Sequence, residues 1–178
     1  MATKKEQTQF VRAIYPAAER LYRAGGVSPL FVTAQAALET GWKVKGIGNN
    51  IFGITKGSTW AGPAELVLTT EYFKTRDVKF NAPEEVVSVE QVAPDKYKYR
   101  VRRFFRVYAS LDACLDDYLS LLRKPSYADA WPYRADPKEY ARRLVDDTGA
   151  KYATAPNYAE VMASMIDNVQ RIVTAEGL

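Results

Sequence analysis

The stretch Val32-Thr-Ala-Gln-Ala-Ala-Leu-Glu39-Thr-Gly-Trp42 predicts a helix that ends at a single acidic residue. Ser28 can cap its start, Pro29 suits the first helical position, and Gly41 is a common residue at a helix end. Glu39 falls in the last turn, where the helix dipole and apolar neighbours should raise its pKa. A carboxyl that stays protonated near neutral pH can act as a general acid. Taken alone, the stretch is explained better by a solvated glutamate at a helix end.

Five further blocks decide between these interpretations. They are Gly48-Asn-Asn-Ile-Phe-Gly-Ile54, Trp60-Ala-Gly-Pro63, Leu68-Thr-Thr-Glu71-Tyr72, Phe105-Arg-Val-Tyr-Ala-Ser110 and Lys151-Tyr-Ala-Thr-Ala-Pro-Asn-Tyr158. Together with the first stretch they resemble the bacterial glucosaminidase family, peptidoglycan hydrolases that include flagellar-rod muralytic domains and phage endolysins. The resemblance covers about residues 10 to 170. Because the blocks occur in the family's order, the resemblance is much more specific than any single motif.

The composition excludes several kinds of chemistry. The 178 residues include no histidine, so Ser-His and Cys-His catalysis and histidine-based zinc sites are excluded. The one cysteine, Cys114, permits no internal disulfide and sits in an apolar helical pattern typical of a core thiol. Acid–base chemistry therefore has to come from carboxylates, tyrosines or lysines. We expect no metal and no cofactor.

The pattern along the chain predicts an α+β, mainly α domain that comprises residues 1–178. Helical stripes precede residue 43 and follow residue 110, and residues 65–71 read as a strand. Residues 85–92 and 96–104 predict a β-hairpin around a turn at 93–96. Family members often have a shorter connection here, so residues 76–104 are interpreted as a β-hairpin insertion. By analogy, helices around a small antiparallel β element are the lysozyme-like arrangement.

Glycoside cleavage usually needs two acidic roles, a proton donor and a second group that activates water, attacks or stabilises charge. Glu39 is the first candidate. The resemblance implies that Glu71 is the second carboxylate and that Tyr152 lies in the active site. Around Tyr152 the sequence departs from the family, since Lys151 replaces a glycine and Ala155 an aspartate. Alternatively, the substrate's own acetamido oxygen attacks, and Glu71 or Tyr152 only positions and stabilises.

Five residues are candidates for substrate binding: Asn50, Phe52, Trp60, Tyr72 and Tyr158. Aromatic side chains can stack on the apolar faces of pyranose rings, and the Asn50 amide can hydrogen-bond to a sugar. Each has an ordinary structural explanation as well. Aromatic residues are more often part of a core, and an asparagine suits a tight turn.

These observations predict a peptidoglycan hydrolase that cleaves β-1,4 bonds of glycan strands as an endo-β-N-acetylglucosaminidase, in the manner of a phage endolysin. A muramidase or a lytic transglycosylase on the same fold is the first alternative, and a non-catalytic wall-binding protein is the second. The net charge of +4 favours an anionic partner but does not identify it. Nucleic acid ranks last, because only a short cationic strand supports it.

The sequence also gives expectations about location and assembly. Neither a Sec-type signal peptide nor an apolar run that could cross a membrane is visible. We therefore expect synthesis in the host cytoplasm, action on the cell wall or periplasm after release, no membrane insertion, and a monomer.

Overall fold

The computed structural model describes residues 2–44, 46–146 and 157–178. These residues form α-helices at both ends of the chain and one antiparallel sheet between them. The helices are α1 (Lys4–Arg23), α2 (Pro29–Thr40), α3 (Leu111–Leu122), α4 (Pro137–Asp146) and α5 (Tyr158–Glu176), and the strands are β1 (Ala64–Phe73), β2 (Glu85–Ala93) and β3 (Lys96–Arg106). The predicted α+β, mainly α class is confirmed. Among these residues, every helix is too short or too polar to serve as a bilayer span.

Helix α2 lies at the centre of the helical part. Residues 31–37 are all buried, and the helix packs against α1, α4 and α5. A helix that is apolar or small on every side is stable only in such an enclosed position. The Phe31 ring meets the Tyr140 ring of α4 edge to face, with centroids 4.9 Å apart. Because its neighbours fix α2 on three sides, the end of this helix is a well-defined place for a functional side chain.

The predicted cap at Ser28 needs correction, and Pro16 lies inside a continuous helix. Ser28 is the N-cap residue of α2, but its side chain makes no capping hydrogen bond. Pro16 neither ends nor restarts α1, which continues from Lys4 to Arg23. A proline inside a helix is unfavourable, but the apolar stripe of α1, including Phe10 and Ile14, is buried on both sides of it. Packing of that stripe outweighs the local preference.

The sheet has the strand order β1-β3-β2 and is antiparallel throughout. The predicted hairpin is confirmed as β2 and β3, and the predicted first strand extends at both ends because β1 pairs with β3 over its whole length. The Tyr99 hydroxyl donates to the Thr75 carbonyl and accepts from the Val78 N–H. The loop after β1 is therefore fastened onto one face of the sheet. Whether residues 76–104 are an insertion relative to the family stays a prediction.

Helix α3 begins and packs as the sequence predicts. The Ser110 hydroxyl accepts a hydrogen bond from the Ala113 N–H, which caps the helix. Cys114 is fully buried, and burial raises the pKa of its thiol to about 11. A protonated thiol in the core is a poor nucleophile, so its interpretation as a core residue is confirmed.

Candidate active site

Glu39 lies where α2 reaches the surface. It is exposed, whereas the preceding residues 31–37 are buried. Gly41 ends the helix in a left-handed conformation with φ of 60°, and its N–H donates to the Ala37 carbonyl. Left-handed backbone costs a residue with a Cβ roughly 1 kcal/mol, so glycine suits this position. The predicted helix end is confirmed.

A chain of two hydrogen bonds holds the Glu39 carboxyl from behind. Gln35, one turn earlier on α2, donates from Nε2 to Glu39 Oε1 over 2.8 Å. The hydroxyl of Tyr158, the first residue of α5, donates to Gln35 Oε1 over 2.6 Å. Gln35 is fully buried, and Tyr158 is only 4% exposed. The structure thus places Tyr158 behind the acid, where it has little surface to offer a sugar.

The surroundings of Glu39 favour its protonated form. Desolvation raises its pKa above the ordinary value, and the hydrogen bond from Gln35 offsets part of this rise. A carboxyl in a concave place can touch water while much of its surroundings is low-dielectric protein, so exposure and desolvation coexist here. This direction agrees with the sequence prediction and suits a proton donor.

Gly53 brings the loop after α2 up to the other Glu39 oxygen. A methyl group in place of its hydrogen would lie 4.0 Å from Glu39 Oε2. Gly53 also lines a groove of about 380 Å³, which we call the first groove. Its other polar and aromatic lining residues include Thr55, Arg106, Tyr118, Lys124 and Tyr127. Glu39 Oε2 therefore lies beside the wall of a cleft whose size suits a small ligand.

Asn50 shapes this loop from inside. Its Nδ2 donates to the carbonyls of Ile54 and Arg106, and its Oδ1 accepts from the Ile54 N–H. It is only 5% exposed. Both amide hydrogens are used by the backbone, so the structure gives Asn50 a supporting position instead of the predicted substrate contact.

Phe52 combines a core position with a place in the groove wall. It is 7% exposed and stacks on Tyr118 with ring centroids 3.7 Å apart. Its remaining surface lines the first groove. The prediction that Phe52 points into the core is confirmed, and its predicted stacking on a sugar stays a prediction.

A largely buried ion pair supports the first groove at Arg106. Arg106 is 8% exposed, and its Nη1 lies 2.7 and 3.0 Å from the two Asp117 oxygens. The Tyr108 hydroxyl donates to Asp117 over 2.6 Å. Burial, together with Asp117 nearby, raises the pKa of the Tyr108 phenol, so it remains a donor. The Arg106 guanidinium also lies over the Trp60 ring, 4.8 Å from its centroid.

We expect Asp117→Asn to lower the free energy of unfolding by about 2 kcal/mol, because it leaves the Arg106 charge buried without a counter-ion. Chemical denaturation measures the change. Asp167→Asn is the matched control, since Asp167 pairs with Lys138 across exposed side chains and should lose at most about 0.5 kcal/mol. Equal losses of unfolding free energy in the two variants would show that burial does not make the Arg106–Asp117 pair more important for stability than an exposed pair.

Glu71 belongs to a second cluster, on the sheet. It lies near the end of β1 opposite Tyr99, and both of its carboxylate oxygens are 2.9 Å from Arg103 Nη1. Arg103 Nε also lies 3.7 Å from Glu84, whose other oxygen accepts from the Phe104 N–H. The predicted second carboxylate is thus held by an arginine of β3, and the contacts of Glu39 and Glu71 do not overlap.

Arg103 also lines a second groove, of about 680 Å³, between the sheet and the loop that follows β1. Lys56, Trp60, Lys79 and Phe80 contribute to its walls, and Gly57 lines both grooves. The two grooves therefore adjoin, with Arg103, the partner of Glu71, at one and Gly53 at the other. An extended substrate can therefore occupy both grooves, one on each side of Gly57.

The remaining predicted site residues lie in different surroundings. Trp60 is half-buried, donates from Nε1 to the Pro63 carbonyl and lines the second groove. Tyr72 is 53% exposed on the opposite face of β1 from Glu71, with the Lys96 ammonium 4.8 Å from its ring centroid. Tyr152 lies outside the described residues. Trp60 remains a good candidate for sugar stacking, whereas the position of Tyr72 gives it no contact with either groove.

Three polar residues of the site escaped the sequence analysis. They are Gln35, which donates to Glu39, Arg103, which pairs with Glu71, and Arg106, which pairs with Asp117. The i, i+4 spacing of Gln35 and Glu39 was the one available signal, since the other partnerships join distant parts of the chain.

Known proteins are similar to this chain over most of its length. The Glucosaminidase family model, described as mannosyl-glycoprotein endo-beta-N-acetylglucosaminidase, matches residues 15–171. Peptidoglycan hydrolase FlgJ of Pseudomonas aeruginosa is 31% identical over 170 residues, which are 91% of this chain and 36% of that protein. A probable N-acetylmuramidase of Lactococcus lactis subsp. lactis is 28% identical over 167 residues, which are 88% of this chain and 32% of that protein. The chain thus spans about a third of the length of these relatives.

A solved structure shows the same fold. The crystal structure of a peptidoglycan hydrolase mutant from Sphingomonas sp. A1 superposes with a TM-score of 0.68 at 30% identity, covering 94% of this chain and 99% of that one. The predicted lysozyme-like helical domain with a small antiparallel β element is confirmed.

Proposed function

Because this chain belongs to the glucosaminidase family, we propose that it hydrolyses β-1,4 glycosidic bonds in the glycan strands of peptidoglycan, as an endo-β-N-acetylglucosaminidase. The relative from Pseudomonas aeruginosa and the structure from Sphingomonas sp. A1 are both named peptidoglycan hydrolases, which supports this substrate. The proposal concerns only the segment of these relatives that aligns with this chain.

One observation carries the proposal: Glu39 has a raised pKa, and its Oε2 lies beside Gly53, which lines the first groove. A protonated carboxyl in that place can give its proton to the leaving oxygen as the glycosidic bond breaks. The bond electrons go to that oxygen, and water later adds at the anomeric carbon to give a new reducing end. The resident groups need only oppose the positive charge that develops on the sugar.

Among the residues that the structure describes, Glu71 is the candidate for opposing this positive charge. A carboxylate can stabilise the oxocarbenium-like transition state, attack it, or activate water. Its pairing with Arg103 holds the side chain in place on β1. The substrate's acetamido oxygen is the alternative nucleophile, in which case Glu71 and Tyr152 position and stabilise. No metal or cofactor is needed for either route.

Muramidase activity is the second candidate, because relatives from Lactococcus lactis are named probable N-acetylmuramidases. It needs the same proton donor and differs in which of the two alternating sugars occupies the site before the cleaved bond. A lytic transglycosylase would instead form an anhydro sugar without adding water. The role of a phage endolysin, the monomeric state and action at the cell wall after release all remain proposals.

Product analysis tests the proposed function. Purified peptidoglycan is digested, the new ends are reduced with borohydride, and the fragments are identified by mass spectrometry. We expect reduced GlcNAc ends. Reduced MurNAc ends would move the assignment to muramidase, and anhydro-MurNAc ends to transglycosylase. No fragments, under conditions where a control lysozyme cleaves, would overturn the assignment to glycosidases and leave a wall-binding protein.

A further inference from the structure

We propose that Gln35 and Tyr158 are positioning residues that determine which oxygen of Glu39 delivers the proton. The inference rests on the proposed function, since it assumes that Glu39 is the acid. It assigns a role in proton donation to two residues that lie on two different helices. Neither residue lines the grooves described above, so they act through Glu39 and not by touching substrate.

The direction of the two hydrogen bonds carries the inference. A carbonyl oxygen only accepts, so the Tyr158 hydroxyl must donate to Gln35 Oε1. That bond fixes the orientation of the amide and turns Nε2 towards Glu39. The NH₂ group only donates, so Glu39 Oε1 must accept. When Glu39 is protonated, its proton therefore sits on Oε2, the oxygen that faces Gly53 at the first groove.

Burial stabilises this orientation of the Gln35 amide and the Glu39 carboxyl. Gln35 is fully buried and Tyr158 nearly so, and water cannot readily replace either partner. Buried polar groups are retained where their hydrogen bonds are satisfied. The Tyr158 hydroxyl also ties the start of α5 to the last turns of α2. The Tyr158–Gln35 bond is buried between two packed helices, and the Gln35–Glu39 bond within α2 is partly buried. Together they hold the carboxyl in one orientation, as a preorganised proton donor requires.

The described residues include one titratable group linked to Glu39 by hydrogen bonds. Helix α2 packs against α1, α4 and α5, and among the described residues of these helices Tyr158 is the one that reaches Glu39 through Gln35. Within the described part of the chain, desolvation and the Gln35 hydrogen bond are the causes of the shifted pKa, with no contribution from a charged side chain. A change at Gln35 or Tyr158 should therefore be visible in the titration of activity.

The test compares Tyr158→Phe and Gln35→Leu with wild type on soluble peptidoglycan fragments. Each substitution removes a hydrogen-bonding group and leaves an apolar side chain of similar size. We expect kcat to fall about 10-fold in each, with KM changed less than about 2-fold, because a misplaced proton donor slows the chemical step and not binding. The alkaline limb of the pH profile should move to higher pH in both variants, because the charged carboxylate is less stabilised. Gln35→Leu removes the donor, and Tyr158→Phe removes the bond that turns the donor towards Glu39.

Tyr140→Phe is the matched control, because Tyr140 is also a fully buried tyrosine packed against α2. It should leave kcat and the pH profile unchanged. A loss of thermal stability in Tyr158→Phe without a shifted alkaline limb would overturn the inference and leave a structural role. A shift to lower pH would overturn it too, since it would mean that the amide is reversed and accepts from a protonated Oε1.

Failure of the inference is distinguishable from failure of the proposed function. If Glu39→Gln remains active, the proposed function itself fails, whatever Gln35 and Tyr158 do. If Glu39→Gln is inactive while Tyr158→Phe and Gln35→Leu keep wild-type kcat and pH profiles, only the positioning inference fails.

Discussion

Glu39→Gln is expected to lower the rate of glycan cleavage about 1,000-fold, within the range that general acid catalysis supplies. Glutamine has the same shape but cannot give a proton to the leaving oxygen. The change places no new charge in the site, and Gln35 can still donate to the remaining amide oxygen. Binding of glycan should therefore persist while cleavage fails. The release of reducing ends, measured at saturating substrate, gives kcat directly.

A matched control separates the loss of the acid from the loss of a charge. Glu160→Gln removes one negative charge at an exposed position on α5, next but one to Tyr158. It should cleave at the wild-type rate. If Glu39→Gln cleaves within about 3-fold of Glu160→Gln, Glu39 is not the general acid, since the loss would lie far below the range typical of that role.

Glu71→Gln is expected to lower kcat about 100-fold if Glu71 opposes the developing positive charge, as removal of one electrostatic stabiliser does in other enzymes. The Glu71–Arg103 pair is largely but not fully buried, and stability should change by at most about 1 kcal/mol. Comparison of the initial rates of reducing-end release, with folding checked by thermal denaturation, measures both effects.

Glu65→Gln is the control on the same strand. Glu65 lies six residues earlier on β1, on the same face of the strand, and is exposed. It should retain full activity and stability. A Glu71→Gln variant as active as Glu65→Gln would remove Glu71 from the mechanism and favour either attack by the substrate acetamido group or a transglycosylase. The presence or absence of anhydro sugar ends separates those two.

Local chemistry explains why much of the fold was predictable. Gly41 ends α2 because only a residue without a Cβ adopts its backbone conformation without strain. The Ser110 hydroxyl caps α3 through a bond to a residue three positions away. The hairpin of β2 and β3 follows from alternating side chains on either side of a turn. Each of these signals lies within a few residues of the feature that it specifies.

Tertiary contacts explain why part of the site was not predictable. The Tyr158 hydroxyl reaches Gln35 across 123 positions of sequence. Arg106 is buried because its charge is paired with Asp117 of α3, whereas its place in an alternating basic strand indicates nothing of the kind. Asn50 suggested a substrate contact for its chemistry, but its amide is occupied by two backbone carbonyls. In all three cases the outcome depends on a contact with another segment of the folded chain.

The central claim is that the surroundings of Glu39 raise the pKa of its carboxyl beside the first groove, and the titration of that carboxyl tests this most directly. Carbon-13 NMR of the side-chain carboxyl carbons, with Glu39 assigned by its absence in Glu39→Gln, gives its pKa in the wild-type protein. We expect a pKa above the ordinary value of glutamate, because desolvation outweighs the Gln35 hydrogen bond. The rate of cleavage should fall as pH rises through that same value, since the acid is active only when protonated. A pKa at or below the ordinary value, or an alkaline limb that does not follow the Glu39 titration, would contradict the account.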